Sequence, residues 1–141
     1  MSAIHPNEAQ LQAFLAEAED GPIVMINLLR YREQADYEAG AAEAPCTGQE
    51  AYGRYSDGVM PLLAKHGGRP IWMGLARTTL IAPEGETWDN AILVEYPTRK
   101  AFIEMTTSPE YQAIGHHRTA ALADSRLIAT SGVFVAPPAA G

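Results

Sequence analysis

The sequence DNAILVEYPTRKAFIEMTTSPEYQAIGHHR, residues 89–118, contains a strand, a corner and two helical segments in unbroken succession. Residues 91–96 are almost entirely apolar, which predicts a buried strand, and Pro97 ends its ladder because proline has no amide proton. Thr98 then predicts a helix cap, and Ser108 predicts the cap of a second segment that begins with proline. This region therefore predicts a buried strand followed directly by two helices.

The composition is that of one globular domain. The 141 residues are 47% hydrophobic and 19% charged, which suits one real core and leaves no room for a second. The net charge is -7 and the ten basic residues are scattered, which argues against nucleic acid as a partner. We expect a single domain, with an N-terminal helical extension at 1–21, a core at 22–135 and a tail at 136–141.

The apolar runs and the start of the chain bear on localisation. No apolar run approaches the roughly 20 residues that span a bilayer, so we expect no membrane partner. The start MSAIHPNEAQ lacks the basic and apolar regions of a secretory signal, which predicts a cytoplasmic protein. Cys46 is the single cysteine and excludes an internal disulfide. A catalytic role for Cys46 stays open, but an ordinary loop cysteine is the commoner case.

The pattern of the whole chain predicts α+β architecture. Periodicity and turn residues predict a helix at 7–18, strands at 23–29, 69–82, 88–96 and 125–135, a loop with one helical turn at 32–46, and helices at 47–66 and 98–123. Thr47 and Glu50 form a capping box at one helix start, and Gly67 supplies its stop. This order is that of a ferredoxin-like βαββαβ fold with a four-stranded antiparallel sheet and an extra N-terminal helix.

The first strand, IVMINLL at 23–29, bears on assembly. It is apolar on both alternating faces except at Asn27, so both faces require a cover. In this fold the helices cover only one face of the sheet. A second copy is the simplest cover for the other, which predicts a homodimer through the open sheet face.

Four short patterns together carry a family resemblance: HGGR at 66–69, WD at 88–89, LVEYP at 93–97 and SPEYQ at 108–112. Over about residues 22–134 the chain resembles an uncharacterised domain-of-unknown-function family of the dimeric α/β-barrel superfamily. The resemblance implies two sheets packed face to face in a dimeric barrel. Some members of that superfamily are cofactor-free monooxygenases or isomerases that act on activated carbonyl compounds, and some bind haem. The N-terminal helix and the 32–46 loop depart from the common core.

Arg118 is the predicted anchor of a site. The spacing of Tyr111, Ile114 and Arg118 directs its guanidinium inward, and a buried charge needs an anion. Asp89 is the structural candidate for that anion, and a carboxylate or enolate of a small ligand is the functional one. Asn27 is the single polar residue of its strand, and either lines a pocket or bonds a neighbouring loop.

Further candidates complete a predicted cavity between the sheet and the helices of one subunit. His66 and Asp89 are candidate bases for proton abstraction next to a carbonyl, with Arg118 or Asn27 stabilising the oxyanion. For His66, a favourable interaction with the C-terminal helix dipole is the alternative. Trp72 and Trp88 are predicted to bind substrate, although a tryptophan at a strand start more commonly packs in a core.

Cofactor chemistry has little support. His116 and His117 are adjacent on a predicted helix, so their side chains should point about 100° apart and not share a metal ion. Either is a conceivable axial haem ligand, but a solvated helix face is commoner. Nucleotide-binding and hydrolase motifs are absent. We therefore expect no cofactor, and two functions stay open: a cofactor-free enzyme acting on a small activated carbonyl compound, or a non-catalytic ligand-binding or stress-related dimer.

Overall fold

The computed structural model describes residues 2–18 and 21–139. In chain order its elements are α1 (Glu8–Ala16), β1 (Ile23–Tyr31), α2 (Gly48–Lys65), β2 (Arg69–Leu75), β3 (Asn90–Tyr96), α3 (Arg99–Thr106), α4 (Pro109–Gln112), α5 (Gly115–Ala121) and β4 (Leu122–Thr130). The strands form one antiparallel sheet in the order β2-β3-β1-β4. This confirms the predicted ferredoxin-like α+β fold, and the sheet of the chain is open rather than closed into a barrel.

The alternation of side chains along β1 divides the sheet into two faces. Ile23, Met25 and Leu29 are buried and form clusters with residues of α2, α3 and α5, which therefore all cover one face. Ile26 and Leu28 point to the opposite face and are only half-buried. The prediction that both faces are apolar is confirmed, but within one chain only the helix face is covered.

The core consists of two clusters of buried residues on the helix face, and the partly buried Val94 packs against both. One contains Ile23, Met25, Leu63, Tyr96 and Met105. The other contains Leu29, Ala51, Ile92, Ala121 and Leu122. Asn27 lies on the same face of β1, between Met25 of the first cluster and Leu29 of the second. A polar residue therefore stands where a continuous apolar row along β1 would need a fourth apolar residue, beside Ile23, Met25 and Leu29.

The helix boundaries follow local signals. The side chains of Asn7 and Thr47 cap α1 and α2, and each helix has a reciprocal capping box, with Gln10 and Glu50 respectively. Gly67 adopts a φ of 79° just after α2, which is why glycine suits that stop. None of the described helices combines the length and apolar character needed to cross a membrane.

Two predicted strand boundaries are wrong. The strand predicted at 69–82 ends at Leu75, because its partner β3 begins at Asn90 and offers no residues for a longer ladder. Leu80 and Ile81 are instead 87% and 92% exposed in the connecting loop. The last strand runs over Leu122–Thr130 rather than 125–135, because Thr130 already pairs with Val24 near the start of β1.

Two glycines of α2 should respond oppositely to replacement by alanine. A Cβ at Gly48 would overlap the backbone carbonyl oxygens of Arg32 and Ala121, whereas a Cβ at Gly53 meets nothing within 4 Å. We expect Gly48→Ala to lower the free energy of unfolding by about 2 kcal/mol or more. Gly53→Ala, the matched control, should raise it by about 1 kcal/mol because alanine favours the helix. Urea denaturation followed by circular dichroism measures both, and a shift of the same sign in both variants would contradict this packing.

Candidate functional site

A partly open cavity of about 780 Å³ lies between the sheet and the helices, in the size range of small-molecule sites. Its floor is the helix-facing side of β1 and β3, including Met25, Ile92 and Val94. The cavity touches both core clusters, since Met25 belongs to one and Ile92 to the other. It therefore borders both clusters, and most of its lining is apolar.

Asn27 lies on the cavity floor, which is one of the two alternatives that the sequence left open. Its Nδ2 donates hydrogen bonds to the backbone oxygens of Met25, at 3.2 Å, and Ile92, at 3.3 Å. These bonds fix the amide against its own sheet. Within residues 2–18 and 21–139, the amide oxygen has no hydrogen-bond partner, so it remains an acceptor for a guest.

Arg118 lines the same cavity from α5 and is half-buried. Its Nη1 donates one hydrogen bond of 2.8 Å, to the backbone oxygen of Ile4. No carboxylate of the described residues lies within ion-pair distance of the guanidinium. Because guanidinium has five N–H donors and a permanent charge, most of its binding capacity remains unused.

Three tyrosines form one wall of the cavity: Tyr52, Tyr55 and Tyr111. The hydroxyls of Tyr55 and Tyr111 are hydrogen-bonded at 2.9 Å, and their rings meet edge to face with centroids 6.0 Å apart. Burial raises the pKa of Tyr52 and of Tyr55 above the ordinary value, and the nearby Arg118 charge opposes the rise only in part. The hydroxyls of Tyr52 and Tyr55 are therefore neutral at physiological pH and can donate or accept hydrogen bonds.

The segment before α1 forms a further wall. Ile4, His5 and Pro6 line the cavity, and Phe14 of α1 lies against Phe102 with ring centroids 5.6 Å apart. The segment is held by the hydrogen bond from Arg118 to Ile4 and by a pair of bonds that Ala3 makes with Asp124 and Ser125 of β4. Sequence reasoning missed this role, since these bonds join residues more than a hundred positions apart.

The two predicted bases lie outside the cavity, so the prediction that they face it is wrong. His66 is the C-terminal cap of α2, where its backbone N–H bonds the last turn. Asp89 accepts a 2.8 Å hydrogen bond from the backbone N–H of Tyr31 and lines a separate surface depression of about 480 Å³. Asp89 does not pair with Arg118, because the two residues line different depressions of the structure.

The two tryptophans also lie outside the cavity. Trp72 pairs with Leu93 in the sheet, a register that points its side chain to the open face, and it is 60% exposed. Trp88 precedes β3. The guanidinium of Arg126 lies over its ring, 5.0 Å from the ring centre, and the indole N–H donates a 3.3 Å hydrogen bond to Glu86. The structure therefore brings together Arg118 and Asn27, but none of the other four predicted residues.

The histidine pair departs from its predicted geometry. The rings of His116 and His117 do not diverge but lie close together, with centroids 4.0 Å apart and planes inclined by 35°. Nε2 of His116 lies 2.6 Å from a carboxylate oxygen of Glu43. Glu43 belongs to the loop that joins β1 to α2, residues 32–47. The two side chains rotate toward each other, although their backbone positions are about 100° apart around the helix. The argument that these residues cannot converge is therefore wrong.

Comparison with solved structures supports the fold. Two crystal structures of the RPA0582 protein of Rhodopseudomonas palustris, one of methylated protein and one described as of unknown function, are 38% and 36% identical to the chain. They cover 94% and 96% of this chain and 96% and 100% of their own length, each with a TM-score of 0.88. A dimeric protein of unknown function from Bacteroides fragilis is 20% identical, with a TM-score of 0.51 over 82% of this chain and all of its own. That likeness shows the ferredoxin-like fold alone.

Comparison by sequence gives the family. No curated protein matches the chain. The model of a domain of unknown function, DUF1330, matches residues 41–133, a span that includes the HGGR, WD, LVEYP and SPEYQ patterns. The expected membership of an uncharacterised, ferredoxin-like family is thereby confirmed: the chain belongs to the DUF1330 family.

Proposed function

We propose that this protein binds a small amphipathic anion in the cavity between its sheet and helices. The observation that carries this proposal is the half-buried guanidinium of Arg118, which faces an apolar cavity with a single protein hydrogen bond. The anionic group of the ligand would lie on Arg118, within reach of Asn27 and the tyrosine wall. Its apolar body would lie over Met25 and Val94.

The energetics favour a charged guest at this position. A charge in apolar surroundings is costly unless an anion pairs with it, and a single backbone carbonyl compensates only part of that cost. A hydrogen bond between charged groups contributes about 1.5–3 kcal/mol, more than a neutral bond provides. A carboxylate on Arg118 would therefore add affinity that a neutral ligand of the same apolar size lacks.

The groups that line the cavity favour ligand binding over catalysis. The enzyme hypothesis assigned proton abstraction to His66 or Asp89, and neither touches the cavity. The groups that do converge are Arg118, Asn27 and neutral tyrosine hydroxyls, which recognise a carboxylate without requiring a reaction. We therefore favour the ligand-binding protein over the cofactor-free enzyme acting on an activated carbonyl compound.

Decanoate and decanol, which differ in the charged head group, test the role of Arg118. We expect the unmodified protein to bind decanoate more tightly than decanol. Arg118→Gln should weaken decanoate binding at least about tenfold, because it removes the charge, and weaken decanol binding much less, because a neutral ligand loses only the support that the bond from Arg118 to Ile4 gives the N-terminal wall. Isothermal titration calorimetry measures both ligands against both proteins.

The control variant is Arg77→Gln, which removes the same charge from an exposed loop that does not line the cavity. It should leave both affinities unchanged. Equal loss of decanoate affinity in the two variants would mean that net charge, and not a placed guanidinium, attracts the anion. No difference between decanoate and decanol in the unmodified protein would also contradict the proposal.

We further propose that the open sheet face joins two copies of the chain into a homodimer. This face carries Ile26, Leu28 and Leu93, together with Trp72 and Ile128, which are 60% and 52% exposed. Exposed apolar residues grouped on one face are uncommon on monomers, and tryptophan, here Trp72 on the edge strand β2, is a frequent anchor of interfaces. An isologous pairing would cover both copies with the same surface.

Light scattering coupled to size exclusion tests this assembly. We expect twice the 15.2 kDa chain mass at micromolar concentration. Trp72→Glu should shift the mass to that of one chain, because it places a charge in the apolar contact. The control, Leu15→Glu, also replaces an apolar residue with glutamate, but it lies on α1, whose Phe14 packs against a helix. It should leave the dimer intact. An unmodified protein with the mass of one chain would contradict the proposal.

A further inference from the structure

We propose that Glu43, His116 and His117 form a binding site for a divalent transition-metal ion, outside the cavity and independent of it. One ligand atom of each residue lies within 4.8 Å of the other two. Two imidazoles and one carboxylate are donors that Zn²⁺ accepts, and three protein ligands leave a position for water. Among the residues that the structure describes, this is the group whose histidine and carboxylate atoms converge in this way.

The geometry needs only a small adjustment to hold an ion. With bonds of about 2.1 Å, a tetrahedral zinc requires ligand atoms about 3.4 Å apart. Nε2 of His116 and Oε1 of Glu43 are already closer than this, at 2.6 Å, so an ion would enter between them. The side chain of His116 is 46% exposed, which leaves it free to make this adjustment.

A hydrogen-bonded partner orients His117. Its Nδ1 lies 2.7 Å from the hydroxyl of Tyr37, which leaves Nε2 as the ring nitrogen available to a metal. Tyr37 is itself held, since Arg54 donates a 3.2 Å hydrogen bond to the same hydroxyl and another of 3.2 Å to the backbone oxygen of Ala44. Metal-binding histidines commonly have such a partner on the second nitrogen, because it fixes the tautomer and the ring.

The charges around the cluster set the expected affinity. Glu43 contributes one negative charge, while the guanidinium of Arg54, 5.6 Å from the Tyr37 ring centre, opposes a cation. With one carboxylate and partial exposure, the dissociation constant for Zn²⁺ should lie in the micromolar range. The ion would join the 32–47 loop, through Glu43, to α5, which the loop already contacts through backbone bonds from Arg32 to Ala121 and from Asp36 to Ala120 and through the bond between Tyr37 and His117.

Titration of Zn²⁺ into the full chain without an affinity tag tests the site by calorimetry. We expect one ion per chain. His116→Ala, His117→Ala and Glu43→Gln should each weaken binding about tenfold or more, since each removes a ligand. His66→Ala is the matched control, because it removes another of the chain's four histidines at a position far from this cluster in sequence, and it should leave the affinity unchanged.

Cobalt gives a second readout that does not depend on heat. Co²⁺ bound by nitrogen and oxygen ligands of the cluster should produce a visible spectrum that His116→Ala abolishes and His66→Ala retains. Circular dichroism of each variant checks that the fold is intact. Zinc affinity that survives in both His116→Ala and Glu43→Gln, or no binding at all in the unmodified protein, would overturn the proposal and leave a simple hydrogen bond between Glu43 and His116.

Discussion

The position of β1 in the middle of the sheet is the constraint on which the rest of the structure depends. β3 and β4 occupy both of its edges, so β1 can interact with the remainder of the molecule only through its two faces. Because side chains alternate, Met25 and Leu29 must meet the helices while Ile26 and Leu28 must meet something else. The helix layer, the cavity and the apolar open face all follow from this division.

Within the helix face, Asn27 is where the alternation departs from an apolar row. An apolar residue there would have continued the core from Met25 to Leu29. The amide instead bonds its own sheet, and Tyr52 and Arg118 from the helices line the same cavity. The fold tolerates the division because each cluster is complete by itself, with Leu29 and Met105 fully buried on either side.

The N-terminal segment shows how a terminal addition contributes to a site. Its helix buries no residue completely, so its own packing contributes little to stability. Its position depends on hydrogen bonds from Arg118 and β4 and on the contact between Phe14 and Phe102. The same arginine therefore holds this wall of the cavity in place and presents its remaining donors to the interior.

Much of the candidate site could not be predicted. Arg118 does line the cavity, but the predicted single helical face of Tyr111, Ile114 and Arg118 is divided between α4 and α5. The position of Asn27 in an apolar strand left a lining amide and a loop-bonded amide both open. Trp72 was misplaced because a bulge between Pro70 and Trp72 shifts the register of β2, and a one-residue shift exchanges the faces. His116 and His117 were misjudged because backbone direction alone does not fix where two rings meet.

What the sequence by itself determined is local: the capping box of Thr47, the stop at Gly67, the strand–helix corner at Pro97 and the period of each element. These depend on dihedral preferences and on hydrogen bonds between residues a few positions apart, so they are legible in a short window. Tertiary structure alone decided where β2 and β4 end, because a ladder extends only as far as its partner. It also decided the bond of Arg118 to Ile4 and of His116 to Glu43, since these pairs are 114 and 73 residues apart and meet only when the helices pack on the sheet.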